Sequence, residues 1–409
     1  MNSVNEFLKV LRNSLNEVGG EAYIVGEFVR EKLINFKNQP GNLNILYDGD
    51  INKLLISLED VKYKFLPIQD NDEVYIYDDG NINFNIERLK EKGIEEYLGK
   101  RDFSINSICV KILGNKIIDP FNGRRAIECR IIKHINDTSI EQDPVRILRG
   151  IRFCIKYGMH FNLETEKKVV EMASKLKDCD KRSVFNEFMN LVQIDSNGKA
   201  LEFLDNYNIL KYIFPYVEEL KTIGKCKHHA EDAFTHMNLT YEIFKDIING
   251  KIQIKGFDLG CLENYISNFK IKDYVSVACF LHDIGKFKCY KEEEDSVSFL
   301  DHEKEGSKIV NDICLDMKFP KISIELMVKL VEAHMCPLGI FKMDESKRKE
   351  AAYKFFDKYN EYVYFILILS FCDNYATYDY LSGDSKQNYK NFIEDMIREY
   401  GIYKFKVKE

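Results

Sequence analysis

Every strand signal in this chain lies before residue 120, and from about residue 140 onward the apolar residues recur with helical spacing. That one-way switch predicts an α+β fold with a mixed-sheet head over 1–128. An all-helical neck and body should follow over 129–225, then an all-helical C-terminal domain over 226–395 and a charged tail over 396–409. Val4, Phe7, Leu8, Leu11, Leu15 and Val18 share one face of an opening helix, and the apolar strand Ala22–Val25 leads through Gly26 into a second helix. Further strands are expected at Leu43–Tyr47, Tyr63–Leu66, Val74–Tyr77, Ile82–Ile86, Ser107–Leu113 and Lys116–Ile118, with hairpin turns at Asp79-Gly80 and Gly114-Asn115. A chain of 409 residues exceeds one ordinary core, and seven prolines with no Gly/Ser-rich linker imply domains packed directly on one another.

The net charge of −7 excludes a basic coat protein but leaves room for a local basic face. Eleven cysteines are scattered singly with no CxxC pair, which argues against a zinc ribbon or a secreted disulfide framework and for a reduced, cytoplasmic setting. The first residues lack a basic and apolar leader, and the longest apolar run, Tyr362 to Cys372, is too short to span a bilayer. A soluble protein without a membrane partner is expected. Arg146, Arg149 and Arg152 recur at three-residue spacing and make a loosely spiralling basic ridge, held to a core by Ile147, Leu148, Ile151 and Phe153. Guanidinium forks on such a ridge suit phosphate; the alternative is a solvated helix face.

The head resembles class II CCA-adding enzymes and bacterial poly(A) polymerases through four ordered motifs. These are Val25-Gly26-Glu27-Phe28-Val29-Arg30-Glu31, Arg101-Asp102-Phe103-Ser104-Ile105-Asn106, Ile118-Asp119-Pro120-Phe121-Asn122-Gly123 and Asp143-Pro144-Val145-Arg146-Ile147-Leu148-Arg149-Gly150-Ile151-Arg152-Phe153. The resemblance implies a nucleotidyltransferase head that binds nucleotides and an RNA 3′ end, that of tRNA above all. It implies Arg30, Arg101, Asp143, Arg146, Arg149 and Arg152 as nucleotide- or RNA-binding residues, with Asp143 and Arg146 reading the base.

The departures bear on chemistry. Transfer needs two carboxylates at i and i+2 on a strand to hold divalent cations, and the family's Asp-Ile-Asp reads Asn42-Leu43-Asn44 here. Mg²⁺ depends on anionic oxygen ligands. Glu27 stands where the family has a second glycine against the phosphates, Asn83 stands at the acidic position ahead of Arg88, and Arg182-Ser183 replaces a bracing Glu-Arg pair. Asp48-Gly49-Asp50 has the right spacing but lies in turn-forming sequence. The pattern predicts a degenerate former metal site at Asn42 and Asn44, with Mg²⁺ in the head only if transfer survives.

Six of the eight histidines lie between 228 and 334. His228-His229, His236, His282-Asp283-Ile284-Gly285-Lys286, Asp301-His302-Glu303, His334 and Asp373 together resemble the HD phosphohydrolase pattern, which also occurs fused to CCA-adding enzymes in this order. The resemblance implies a divalent cation, Mn, Ni, Co, Fe or Mg, held by His236, His282, Asp283 and Asp373, with His302 and His334 as additional ligands. His282, Asp283 and Lys286 are the implied catalytic residues, Lys286 meeting a substrate phosphate. Imidazoles with carboxylates suit transition metals better than Mg²⁺ alone. Three functions stand open, in this order: an HD metal-dependent phosphohydrolase with an RNA- or nucleotide-binding, non-transferring head; an active tRNA nucleotidyltransferase adding CCA or A; and a non-catalytic RNA- or nucleotide-responsive regulator.

Overall fold

The computed structural model describes residues 2–68, 71–223, 231–293, 296–377 and 383–408, and the chain divides into two compact units, Met1–Met172 and Ala173–Glu409. His228 and His229 lie outside the described residues.

The first unit is built on a seven-stranded mixed sheet. The elements that matter for its cavity are α1 (Asn2–Val18), β1 (Ala22–Val25), α2 (Glu27–Ile34), β2 (Asn42–Tyr47), α3 (Ile51–Glu59), β3 (Leu66–Ile68), β4 (Asn71–Asp78), β5 (Asn83–Arg88), α4 (Ile94–Gly99), β6 (Cys109–Lys111), β7 (Ile117–Ile118) and α5 (Arg146–Tyr157). The strand order is β3-β4-β5-β2-β1-β6-β7, with β2 and β5 parallel and the other pairs antiparallel. Tyr63 and Phe65 are buried but precede the strand expected around them, which begins at Leu66. Both hairpin turns form: Gly80 has φ of 85°, and Gly114 and Asn115 have 86° and 54°, the left-handed backbone that these residue types tolerate best.

Strand alternation sorts the sheet. Leu43 and Ile45 of β2 and Phe84 and Ile86 of β5 point to one face, where Phe7, Leu11 and Leu15 of α1 and Leu54 and Leu58 of α3 cover them in a single core cluster. Asn42 and Asn44, with Asn83 and Asn85, fall on the opposite face. The parallel register sets Asn42 beside Asn83 and Asn44 beside Asn85.

The second unit is mainly helical. The elements that matter for its site are α6 (Ala233–Ile248), α7 (Ile271–Leu281), α8 (His302–Asp316), α9 (Lys321–Ala333) and α10 (Val363–Ala376). α10, with the sequence VYFILILSFCDNYA, is apolar around most of its circumference and buried accordingly. The region from 129 onward, expected to be wholly helical, also holds two-stranded pairs: Ile131–Ile132 with His160–Phe161 in the first unit, and Tyr265–Ile266 with Phe269–Lys270 and Lys291–Glu293 with Ser296–Ser298 in the second. Such short pairs carry too little apolar periodicity to register in a helical pattern.

Candidate functional site

Two arrangements gather the candidate residues, one in each unit. In the second, His236 sits on the first turn of α6, His282 and Asp283 follow α7 directly, His302 opens α8, His334 follows α9, and Asp373 lies near the end of α10. Helix ends thus carry most of the ligands. Gly285 makes this possible: a Cβ there would stand 2.1 Å from the His302 carbonyl oxygen and 2.5 Å from the Gly306 nitrogen. Only glycine lets the turn after Asp283 approach the start of α8 so closely.

Asp283 is the hub. Its Oδ2 lies 3.2 Å from His282 Nε2 and 3.6 Å from His236 Nε2, while its Oδ1 lies 3.1 Å from His302 Nε2 and 3.8 Å from His334 Nε2. Asp373 Oδ1 completes the first group at 2.9 Å from His236 Nε2 and 3.4 Å from His282 Nε2. Two overlapping clusters result, His236–His282–Asp283–Asp373 and Asp283–His302–His334, each with its ligand atoms within 4.8 Å of one another. All six residues named for this site from the sequence converge.

The tautomers can be read from the hydrogen bonds. Nδ1 of His282, His302 and His334 each lies 2.8 Å from a backbone carbonyl, of Cys279, Phe299 and Val331 respectively. A carbonyl accepts only, so each Nδ1 donates and each neutral ring keeps an Nε2 lone pair facing the cluster. His302 and His334 then aim two Nε2 atoms at one another across 3.3 Å, and His282 Nε2 is buried without a hydrogen-bond partner. A cation is what such a set fits: buried lone pairs otherwise cost free energy. Burial, with repulsion from His282, pushes His334 down to about 3, so that its ring is neutral. Burial also opposes a proton on His282, but Asp283 and Asp373 override it and raise that group to about 10. A proton and a metal ion therefore compete for the same lone pair. Against its burial, Asp283 is held well below the usual carboxylate range by His282 and Lys286, whose Nζ is 2.5 Å from Oδ2.

In the first unit an open cavity of about 560 Å³ lies over the asparagine face of β2 and β5. Arg30, Arg101, Arg149 and Arg152 line it, as do Glu27, Asn44, Glu87, Tyr97 and Asp102. Arg149 reaches buried Asp102 at 3.1 Å, and Asp102 also accepts from Asn106 Nδ2 at 2.8 Å and from the Phe103 amide at 2.7 Å. Burial works against that carboxylate, yet Arg149 and Arg101 keep its pKa lowered. Arg30 is buried against the rings of Phe153 and Tyr157 and donates to Asn106 and Tyr157. Asp143 and Arg146 do not line the cavity. The Arg146 guanidinium donates to the backbone carbonyls of Ser139, Arg101 and Lys100 at 3.0, 3.4 and 3.2 Å, with Asp143 at 3.5 Å. The ridge spirals, so its first arginine turns to the chain while the other two face the cavity. Arg146→Ala is accordingly expected to destabilise the head by about 1–3 kcal/mol, through carbonyls left unsatisfied. An unchanged melting temperature would show those contacts to be dispensable.

The face where the resemblance would place the metal-binding carboxylates carries amides. Asn44 Oδ1 accepts from Asn85 Nδ2 at 2.7 Å. Among the described residues the only groups of three or more potential ligands are the two in the HD-like cluster, and neither lies in the head. Asp48 accepts from the Glu21 amide, and Asp50 caps α3 through the amides of Asn52 and Lys53. Reading the sequence singled out Asn83 but missed Asn85, Glu87 and Tyr97. The alternation Asn83-Phe84-Asn85-Ile86-Glu87 puts Asn83, Asn85 and Glu87 on one face, a signal that was there to use. Burial raises the Glu87 pKa.

Comparison with known proteins finds three family matches along the chain, the second of which runs across the boundary between the two units. Residues 69–133 match the poly A polymerase head domain, 158–221 the probable RNA- and SrmB-binding site of polymerase A, and 259–359 the HD domain, a match that ends short of both His236 and Asp373. The CCA-adding enzyme of Blochmanniella floridana is 24% identical over 74% of this chain and 71% of its own length. The A-adding tRNA nucleotidyltransferase of Deinococcus radiodurans is 23% identical over 60% and 53%. A solved structure, the Thermotoga maritima CCA-adding enzyme complexed with tRNA, aligns over 97% of this chain and 82% of its own at 17% identity and a TM-score of 0.65, which shows the fold. No helix among the described residues is long and apolar enough to cross a membrane. The chain thus combines a poly(A) polymerase head, an RNA-binding segment and an HD domain, domains that imply use of a divalent cation.

Proposed function

We propose that this chain of the CCA-adding enzyme and poly(A) polymerase family is a metal-dependent HD phosphohydrolase. Its head binds a nucleotide or an RNA end, that of tRNA in view of its relatives, without transferring nucleotides. The observation that carries the hydrolase half is Asp283, whose two oxygens face two separate groups of imidazole Nε2 atoms. His236, His282, Asp283 and Asp373 would hold one cation and Asp283, His302 and His334 a second. A divalent cation there supplies Lewis acidity, polarising a phosphoryl oxygen and making water a better nucleophile. The protein's own part is to fix the imidazole tautomers through the three backbone carbonyls and to place Lys286. That ammonium is buried beside Asp283 with the Phe299 ring 5.3 Å away, a position from which it can meet a phosphate oxygen. The substrate class is a phosphomonoester or a cyclic phosphodiester.

The second reading, an active nucleotidyltransferase, is favoured by the relatives' names and by the Asp102–Arg149 pair at the cavity. The amide pair at Asn44 and Asn85 weighs against it. Elemental analysis of purified protein, with a panel of monoester and cyclic phosphodiester substrates, tests the first reading. About one or more transition-metal ions per chain, with turnover dependent on Mn²⁺, Ni²⁺ or Co²⁺, is the expected result. Protein that retains no such metal and hydrolyses nothing on its addition would leave the non-catalytic regulator as the better account.

A further inference from the structure

Among the described residues the head cavity is lined by four arginines and three carboxylates, one net positive charge, and none of the groups of three or more potential cation ligands lies there. A triphosphate carries several negative charges and relies on bridging cations to be held. The cavity matches a ligand with a single phosphate group. The amide pair narrows this further. When one asparagine amide donates to another, one oxygen and one NH₂ edge remain, whichever way the two amides are turned. Here the remaining acceptor, Asn85 Oδ1, is buried with no hydrogen-bond partner, on a residue that lines the cavity. An unsatisfied buried carbonyl is costly, so a ligand hydroxyl donating to it would be bound selectively. Asn44 Nδ2 supplies the complementary donor. Vicinal hydroxyls, each a donor and an acceptor, fit that pair, and Glu27 and Glu87 line the same space as further acceptors.

We infer that this cavity takes a nucleotide unit with one phosphate and a free 2′,3′-diol, without a divalent cation. The diol lies on the Asn44–Asn85 pair and the phosphate on the arginine side. The inference rests on the nucleotide-binding reading of the head and names the ligand class. A nucleoside 5′-monophosphate and the 3′-terminal nucleotide of an RNA share this chemistry.

Binding to the full-length protein in EDTA, followed by calorimetry or fluorescence anisotropy, tests it. The ligands are AMP, a short RNA ending in a free diol, the same RNA ending in a 3′-phosphate, and ATP with Mg²⁺ in place of EDTA. Binding of AMP or of the diol-ended RNA is expected to be unaffected by EDTA, with about tenfold or greater loss on masking the diol or in Asn85→Leu. RNA binding without AMP assigns the ligand to an RNA terminus, and AMP binding alone assigns it to a free nucleotide. Tighter, EDTA-sensitive binding of ATP with Mg²⁺ overturns the inference while leaving a nucleotide-binding head. Equal binding of diol-ended and 3′-phosphorylated RNA overturns the diol contact. If no ligand binds, the nucleotide-binding reading itself fails.

Discussion

His282→Gln is expected to lower metal-dependent phosphoester turnover by about a thousandfold, the ~4 kcal/mol scale of Lewis-acid stabilisation in a transition state. Metal content should fall with it, because His282 Nε2 faces both Asp283 and Asp373 and is fully buried. Asp283→Ala should be more severe in metal content, since one carboxylate serves both ligand groups. That variant also leaves the buried Lys286 ammonium without its partner at 2.5 Å, a change worth about 3–5 kcal/mol of stability. His282→Gln is therefore the cleaner probe of chemistry. His302→Ala offers an internal comparison. It removes a ligand only from the Asp283–His302–His334 group, so part of the bound metal should persist while turnover falls. Full activity and metal content in His282→Gln would mean that the cluster is a structural ion-pair network.

How far this could be read beforehand depended on what kind of signal each residue gave. The helices of the second unit and the strands of the first follow apolar periodicity, which is local, and their order along the chain is set by sequence. The side-by-side placement of β2 and β5 is not local: they are parallel, and α3, β3 and β4 intervene. The pairing of Asn44 with Asn85 was out of reach for that reason, although each strand's alternation already put both residues on the cavity face. Arg146 shows the reverse limit. Spacing placed it in a ridge with Arg149 and Arg152, but spacing cannot tell a guanidinium facing a cavity from one bonded to Ser139, Arg101 and Lys100. The HD-like cluster was the most legible part. Its residue types are individually uncommon in a buried core, and His-Asp before Ile-Gly-Lys needs the glycine that Gly285 provides against α8.

With Mg²⁺, CTP and ATP, the protein is expected not to extend a tRNA lacking its terminal CCA, at a detection limit about a thousandfold below an ordinary transferase. Nucleotidyl transfer spreads negative charge over the reacting phosphoryl group, and the metal ions that offset it are held by carboxylates on adjacent strands. Here those strand positions carry Asn42, Asn44 and Asn83, with Asn85 beside Asn44, while Asp48 accepts from a backbone amide and Asp50 caps a helix. An amide oxygen is neutral, so it offers Mg²⁺ a dipole where a full charge is needed. Glu27 and Glu87 line the same cavity, but they form no three-ligand group with any other His, Cys, Asp or Glu among the described residues. Labelled nucleotide appearing in the tRNA at an ordinary rate would sink this account. Asn42→Asp combined with Asn44→Asp makes the complementary test, because it restores both charges on the half-buried face opposite the core. Mg²⁺-dependent binding of ATP should appear in that variant even if transfer does not, since Glu27 and Arg182-Ser183 remain as departures from the family's motifs.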